Sequence, residues 1–261
     1  MITVVRTHDG GRSSTREKAP RPSGKHVGKS PDPSPSKGRE VQQMFDRVTG
    51  HYDRMNRLMT LGRHAAWCRD VAVGAKVPPG GSMLDIATGT GVIALAALEK
   101  YPDSTIHAVD FSERMLSEAA SKPGASAIVW QYADANDLPF GDGSFDAVTH
   151  GYLLRNVDDA ERVLKEQYRV LKPGGRVVIL ETCPPRGPLR YPVALGVRVL
   201  IPLLGRIVAR DRTSYAYLQK STLGFMTPQE VVAILHRVGF ASITWKKRFF
   251  GTHMIISARK Q

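Results

Sequence analysis

A glycine-rich turn near residue 90 carries the first residues able to do recognisable chemistry. The stretch DIATGTGVIA, residues 85–94, contains Gly89-x-Gly91-x-x-Ala94 directly after an apolar run. Glycines let the backbone approach a bound group, and a small third residue lets a helix pack closely on the preceding strand. Asp110 follows Gly91 by nineteen residues, about the distance at which an acid accepts ribose hydroxyl groups. The pattern predicts a nucleotide-type site, and by itself it fits a nicotinamide dinucleotide, a phosphate or S-adenosylmethionine.

Three further features of the sequence indicate which of these ligands binds. Asp85 stands in an otherwise apolar strand, where a nicotinamide enzyme tends to have an apolar residue. Asp134 and Ala135 follow a later strand, where an acid and a backbone N–H could bind an adenine edge. The stretch RVLKPGGRVVIL, residues 169–180, reads as a helix end, a turn and an apolar strand. Together and in this order, these features resemble the class I S-adenosylmethionine-dependent methyltransferases.

This resemblance implies S-adenosylmethionine as the cofactor, with the acid before the turn near its cationic end. The residues expected to bind it are Asp85, Gly89, Thr90, Gly91, Asp110, Asp134 and Ala135. No metal site is predicted, because Cys68 and Cys183 lack metal-ligand spacing.

Strand and helix patterns alternate along the chain and must position these residues. Candidate strands cover residues 83–86, 105–109, 127–132, 147–152 and 176–180, with helical patterns between them, such as residues 158–171. This alternation predicts an α/β fold with an open, doubly wound and mostly parallel sheet. The resemblance implies seven strands in a Rossmann-like arrangement. In such sheets the ligand binds beyond the carboxyl ends of the strands.

Composition predicts a basic tail in front of a folded domain. Residues 1–40 hold nine Lys/Arg and four Asp/Glu, so they carry +5 of the net charge of +13. This Ser-, Pro-, Gly- and Lys-rich stretch is predicted to be disordered, and residues 41–261 to form the methyltransferase domain. The tail could solubilise the protein or attract nucleic acid or anionic lipid, and no specific nucleic-acid partner is predicted. The lack of a secretory signal or an apolar span indicates a cytoplasmic protein.

The resemblance is closer to one group, the quinone-biosynthesis C-methyltransferases that act on demethylmenaquinone and on the ubiquinone precursor. The matching residues are Phe45, Tyr52-Asp53-Arg54-Met55-Asn56, Leu61-Gly62, Trp67, GYLLRNVDD at 151–159, SYAYLQKS at 214–221 and Gly239-Phe240. The similarity covers residues 41–250. The chain departs from the pattern at Thr88 and Val92 of the turn, at Leu153 and in the C-terminal stretch 250–260. The resemblance implies conversion of demethylmenaquinol to menaquinol, and another aromatic ring, such as a ubiquinone precursor or a phenolic natural product, is the alternative.

Methylation of a ring carbon requires a neighbouring hydroxyl to lose its proton, and therefore a base or a cation that stabilises the oxyanion. In the context of this family, Arg155, Asn156 and Tyr52 are the predicted catalytic residues. A guanidinium group stays protonated near neutral pH, so Arg155 is expected to hold a phenolate or a water molecule. An ion pair with Asp158 or Asp159 is the structural alternative. Among the histidines, His107 is expected to pack within its strand, and His150 is kept as a weaker candidate base.

An insert at about residues 184–226 combines apolar residues with spaced arginines. Its helical spacing predicts a cap on the sheet, and its arginines exclude a membrane span. The cap is expected to enclose a polyprenyl quinone tail or to contact a membrane surface, which allows a peripheral location at the inner face of the cell membrane. A homodimer is also possible. After the cap, TPQE predicts a helix start, with Thr227 as N-cap and Glu230 at the third helical position.

Overall fold

The computed structural model of the protein describes residues 37–185, 188, 190–204 and 212–261. Most of the predicted tail, residues 1–36, lies outside this part of the chain. Helix α1 (Lys37–Val48) begins before the boundary predicted at residue 41. Its apolar side chains Val41, Met44 and Val48 recur at helical spacing and are buried, which places the start of the folded domain inside the predicted tail.

The sheet has seven strands, as predicted. They are β1 (Ser82–Ile86), β2 (Thr105–Asp110), β3 (Val129–Tyr132), β4 (Phe145–Gly151), β5 (Leu171–Thr182), β6 (Phe240–Arg248) and β7 (His253–Lys260). Their order is β3-β2-β1-β4-β5-β7-β6, and β7 runs antiparallel to both of its neighbours. The prediction of a doubly wound, mostly parallel α/β sheet is confirmed.

Strand β5 is longer than the predicted residues 176–180. Leu171 pairs with Phe145, and the next pair joins Arg176 to Ala147, so the Lys-Pro-Gly-Gly segment bulges out of the ladder. The turn chemistry predicted for Pro-Gly-Gly is therefore accommodated inside the strand rather than before it.

Helices cover both faces of the sheet. They are α2 (Tyr52–Met59), α3 (His64–Ala75), α4 (Val92–Lys100), α5 (Glu113–Ala120), α6 (Ala160–Val170), α7 (Arg190–Leu204), α8 (Arg212–Leu223) and α9 (Pro228–Val238). One core cluster joins α3 and α4 to the sheet, for example through Val71 and Ala94. A second joins α6 and α9 to the sheet through Leu164 and Leu235. Helices α7 and α8 lie within the insert expected to form a cap; they contact each other, and they pack against α2 and α1 respectively.

Helix α9 begins as predicted. Thr227 Oγ1 accepts a hydrogen bond from the Glu230 N–H, and the Glu230 carboxylate accepts one from the Thr227 N–H. Proline at the first helical position lacks a backbone N–H, which a helix start does not need.

The order of the strands creates a crevice at the carboxyl end of β1. Ile86, the last residue of β1, pairs with Val109 of β2 on one side and with His150 of β4 on the other. The connections after β1 and β4 leave in opposite directions, and such a switch point leaves room for a ligand. In the part of the chain that the structure describes, no helix is long and apolar enough to cross a membrane.

Candidate active site

A cleft lies at this switch point, beneath the N-terminal helices. It contains about 870 Å³ of space not occupied by protein atoms, its open mouth included. Six predicted site residues line it: Tyr52, Gly89, Asp110, Asp134, Ala135 and Asn156. The other four predicted residues, Asp85, Thr90, Gly91 and Arg155, lie around the cleft and support its walls.

The glycine turn places backbone N–H groups at the cleft. Gly89 has φ +56° and its N–H donates to Asp110 Oδ2 at 2.8 Å. Gly91 has φ +77° and begins α4. A Cβ atom on Gly91 would lie 2.6 Å from the ring of Trp130, so both the backbone conformation and the packing require glycine here.

The Asp110 carboxylate can accept hydrogen bonds from a ligand in the cleft. Its side chain is buried, and its Oδ1 accepts a hydrogen bond from the Ser112 N–H at 2.9 Å, besides the bond from Gly89. Each carboxylate oxygen has a further lone pair. Burial raises the pKa of Asp110 to about 6, against the lowering effect of these backbone donors. This carboxylate at the end of β2 therefore fits the hydroxyl groups of a ribose.

Asp85 organises the turn from below. Asp85 is fully buried, and its two carboxylate oxygens accept hydrogen bonds from Thr88 Oγ1 at 2.6 Å and Thr149 Oγ1 at 2.7 Å. Burial raises the pKa of Asp85 to about 7. Asp85 is not among the residues that line the cleft, so the arrangement shows it joining β4 to the glycine turn.

Helix α1 is fastened over the cleft by polar contacts. Gln42 Nε2 donates to the carbonyl oxygen of Phe111 at 2.6 Å, and Ser112 Oγ donates to Asp46 Oδ1 at 2.5 Å. Ser112 also caps α5. These contacts hold α1 against the end of β2, so α1 forms one wall of the cleft.

Helix α2 is fastened to the glycine turn through Asp53. Thr90 Oγ1 donates to Asp53 Oδ1 at 2.5 Å, and Lys122 Nζ lies 2.6 Å from Asp53 Oδ2. The same ammonium group donates to the carbonyl oxygen of Thr90 at 2.8 Å. Thr90 is thus a residue that binds the covering helix to the turn.

Tyr52, at the start of α2, faces the glycine turn. A Cβ atom added to Gly89 would lie 3.8 Å from its Cε1. Burial raises the pKa of Tyr52, and the nearby positive charge of Arg155 opposes this shift. The hydroxyl therefore stays protonated near neutral pH and can donate a hydrogen bond into the cleft.

Arg155 forms a buried ion pair that sequence reasoning missed. Its Nη1 lies 3.7 Å from Glu181 Oε1, with side chains 6% and 0% exposed. The guanidinium also lies 4.7 Å from the centre of the Tyr152 ring. Asp159, one of the two partners considered as the alternative, instead accepts a hydrogen bond from the Arg162 N–H as the N-cap of α6. The signal for Glu181 was an acid inside the apolar strand VVILETC, the same signal that marked Asp85.

Asn156 joins the end of β4 to the cap. Its Nδ2 donates to the carbonyl oxygen of Tyr152 at 2.7 Å, and its Oδ1 accepts a hydrogen bond from the Tyr217 hydroxyl of α8 at 3.2 Å. The backbone of Tyr152 has φ +59°, a conformation that residues other than glycine rarely adopt. Tyr217 belongs to the stretch SYAYLQKS that resembles the family, but no role was predicted for it.

Among the residues that the structure describes, no histidine lines the cleft. His150 is fully buried in β4, and burial lowers its pKa to about 3. It pairs with Ile86 near the carboxyl end of β4, the ligand side of the sheet as predicted, but it is not among the residues that line the cleft. His107 packs edge-on against Phe140 and Phe145, as expected.

Within the described residues, no group of three or more His, Cys, Asp or Glu side chains could hold a metal ion.

Comparison with known proteins agrees with this geometry. A family model described as the ubiE/COQ5 methyltransferase family matches residues 34–260. The chain belongs to this family. The match covers the cleft, both N-terminal helices and the cap, so the family resemblance predicted from the motifs is confirmed.

Curated relatives of this methyltransferase cover most of the chain. The ubiquinone/menaquinone biosynthesis C-methyltransferase UbiE of Desulfotalea psychrophila is 48% identical over 218 residues, 83% of this chain and 89% of the relative. The demethylmenaquinone methyltransferase of Bacteroides fragilis is 33% identical over 229 residues, 86% of this chain and 94% of the relative. The protein is an S-adenosylmethionine-dependent methyltransferase, as predicted.

Solved structures show the same fold at low sequence identity. Phosphoethanolamine N-methyltransferase 2 of Haemonchus contortus with S-adenosyl-L-methionine is 18% identical, with a TM-score of 0.61, and the alignment covers 88% of this chain and 61% of that one. The [4+2]-cyclase SpnF is also 18% identical, with a TM-score of 0.66 and coverage of 87% and 97%. Because a cyclase and a methyltransferase share this fold, the reaction must be argued from the site.

Proposed function

We propose that the protein methylates a ring carbon of demethylmenaquinol, giving menaquinol. The observation that carries this proposal is the cleft itself, where Tyr52 and Asn156 bring two polar groups into a space otherwise walled largely by apolar residues at the glycine turn. An aromatic ring with hydroxyl groups matches this combination. The names of the curated relatives support the quinol, and a ubiquinone precursor or a phenolic natural product is the alternative.

The cofactor fits one end of the cleft. Asp110 and the Gly89 turn would hold its ribose, and Asp134 with Ala135 would contact its adenine. When bound, S-adenosylmethionine supplies an electrophilic methyl group. Asp85 acts indirectly in this proposal, by holding the turn through Thr88.

In this reaction the protein's own residues orient the ring and stabilise the negative charge on its oxygen. Tyr52, with its raised pKa, donates a hydrogen bond to a ring oxygen, and Asn156 limits how the ring can turn. The buried Arg155 guanidinium stabilises the negative charge that develops on that oxygen, acting through the groups around it. Overall, the ring carbon exchanges its hydrogen for the methyl group, the thioether S-adenosylhomocysteine leaves as the co-product, and the displaced hydrogen is released to solvent as one proton.

Loss of the gene followed by quinone profiling tests the substrate. The proposal predicts that a menaquinone lighter by one methyl group accumulates, and that the intact gene restores the methylated form. Accumulation of a lighter ubiquinone species instead would support the alternative substrate. An unchanged quinone profile would overturn both.

We also propose that the cap contacts a membrane surface at the inner face of the cell membrane. Helix α7 exposes an apolar stripe, between 48% and 69% exposed, at the four-residue spacing of one helix face: Tyr191, Leu195, Val199 and Leu203. Leu61, after α2, is 72% exposed, and α2 also exposes Arg54 and Arg57. Apolar side chains next to cations match an anionic lipid surface.

Vesicle binding tests this contact. Leu195→Glu is expected to weaken binding to phosphatidylglycerol-containing vesicles, while methylation of a short soluble quinol is retained. Val73→Glu is a matched control, since Val73 is 52% exposed on α3, outside the stripe. Equal loss in both variants, or none in either, would contradict the contact.

A homodimer stays a prediction. Light scattering of the purified protein tests it by measuring the molar mass in solution.

A further inference from the structure

A second cavity lies beside the cleft, between α1, α2 and α8. It contains about 290 Å³ of space not filled by protein atoms, its mouth included. Three methionines, Met44, Met55 and Met59, form much of its wall, and Leu218 of α8 lies on another side. Methionine side chains are flexible and adapt to ligands of irregular shape. We refer to this cavity, bounded by these four residues, as the methionine chamber.

The methionine chamber and the cleft share two aromatic side chains in their walls. Phe45 and Tyr52 line both cavities. Their rings pack edge-on, with centroids 5.9 Å apart. A chain that extends from a ring bound in the cleft toward the chamber would therefore pass beside Phe45 and Tyr52.

The far side of the chamber leads toward the membrane-facing helix. Val48 and Met55 form a small buried cluster, and Val197 of α7 packs against it. The opposite face of α7 carries the exposed apolar stripe. The chamber therefore lies between the cleft and the surface through which a lipid-soluble substrate would enter.

One polar group in the chamber wall bears on the nature of the ligand. Asn56 is 7% exposed; its side-chain amide interacts with the Tyr52 hydroxyl, but its Nδ2 makes no well-formed hydrogen bond to the residues that the structure describes. A buried amide donor without a well-formed hydrogen bond is costly. A ligand with an oxygen next to the base of its chain would satisfy this donor, whereas a plain hydrocarbon chain would not.

From these contacts we infer that the methionine chamber binds the isoprenoid tail of the quinol. This inference rests on the proposed function. The ring lies in the cleft, the first prenyl units pass Phe45 and Tyr52, and the Asn56 amide donates to the ring oxygen beside the tail-bearing carbon. The chamber thus selects substrates that carry a tail, and the cleft selects the ring.

Two substrates that differ only in the tail test this assignment. They are 1,4-naphthoquinol and its 2-geranyl derivative, assayed with labelled S-adenosylmethionine. The wild type is expected to favour the geranyl compound by about tenfold or more in kcat/KM, because each buried methylene contributes to discrimination. Met59→Phe, which fills the chamber, is expected to abolish most of this preference and to retain the rate on naphthoquinol. Met226→Phe is the control, because Met226 is also partly buried but packs against the main core.

A binding readout separates this proposal from the proposed function. A geranyl naphthoquinone with a photoreactive group at the tail end is expected to label residues of α1 or α2 in the wild type, and less in Met59→Phe. If Met59→Phe does not fold, Leu218→Phe replaces it. Equal rates on both substrates in the wild type, or labelling outside the chamber, would overturn the tail site alone. Labelling in the chamber without methyl transfer to either ring would overturn the proposed reaction and leave the tail site supported.

Discussion

Arg155 and Glu181 bring opposite charges together beneath the substrate end of the cleft. Arg155 follows β4 and Glu181 lies near the end of β5, and the two side chains are almost completely buried. The Arg155 N–H also points at the Glu181 carboxylate, at 3.4 Å, and the Thr182 N–H donates to it at 2.8 Å. This pair fixes the position of the positive charge beside Tyr52 and Tyr152.

Glu181→Gln is expected to destabilise the protein by about 3 kcal/mol, because it leaves the Arg155 charge buried without its counter-ion. The measurement is the free energy of unfolding in denaturant. Asp70→Asn is the control, since it breaks an exposed ion pair with Arg248 and should change stability little. Equal stability of the two variants would show that the buried pair does not contribute as described.

Arg155→Lys retains a positive charge but loses the planar guanidinium that reaches Glu181 and stacks on Tyr152. Turnover is expected to fall by roughly 10²-fold, as when one preorganised stabilising group is lost. Cofactor affinity should be nearly unchanged, because Arg155 does not line the cleft. Single-turnover rates and calorimetry on the same variant separate the two effects. A folded variant with a normal rate would remove Arg155 from the reaction.

Asp110→Ala is expected to weaken S-adenosylmethionine binding by roughly 2–4 kcal/mol, because it removes charged hydrogen bonds. Asp110→Asn is expected to give an intermediate loss. Asparagine has one acceptor oxygen, whereas Asp110 accepts from the N–H groups of both Gly89 and Ser112. Calorimetry measures the cofactor affinity of both Asp110 variants. Asp103→Ala, in an exposed turn, is the control. Unchanged affinity in Asp110→Ala would disprove the ribose-binding role.

Cofactor binding is expected to release protons near pH 6. Burial raises the pKa of Asp110 to about 6 in the ligand-free protein. Its contribution to folding stability is therefore full below about pH 4 and is lost as the pH rises through about 6. Ribose hydroxyl donors and the cofactor's positive charge favour the carboxylate, so binding lowers this pKa and affinity rises between about pH 5 and 7. Calorimetry in buffers of different ionisation enthalpy measures the release. Proton uptake, or equal release in Asp110→Asn, would contradict this origin.

Asp53→Ala is expected to loosen α2 from the glycine turn. It removes the acceptor of Thr90 and the counter-ion of Lys122. The carboxylate is 44% exposed, so global stability should change little, whereas amide hydrogen exchange over residues 41–59 should increase. Bound S-adenosylmethionine should partly restore protection. Exchange identical to that of the wild type would show that Asp53 does not hold α2.

The cofactor end of the site could be predicted from sequence because Gly89, Asp110 and Asp134 lie at, or within three residues of, the end of a strand. Gly89, Asp110 and Asp134 needed only the strand positions and the rule that ligands bind at carboxyl ends. Asp85 was found as an acid in an apolar strand. Glu181 carries the same signal, but its partner Arg155 is twenty-six residues away along the chain, and only the β4–β5 pairing brings them together.

The substrate end was harder to predict because helices from distant parts of the chain assemble it. The apolar periodicity of the insert indicates helices α7 and α8, yet it does not tell which residues face the sheet. Tyr217 reaches Asn156 only through the packing of α8. Strands β6 and β7 were not predicted individually, although Met254, Ile256 and Ala258 alternate as in a strand with one buried face.

Product analysis tests most directly whether this cleft transfers a methyl group to a quinol ring carbon. Purified protein, S-adenosylmethionine with a ¹³C-labelled methyl group and reduced geranyl naphthoquinone would be incubated, and the product examined by mass spectrometry and NMR. We expect one labelled methyl group on the ring carbon next to the tail-bearing carbon, with transfer strongly reduced in Arg155→Lys. Label on an oxygen atom, or transfer only to an unrelated phenol, would contradict it.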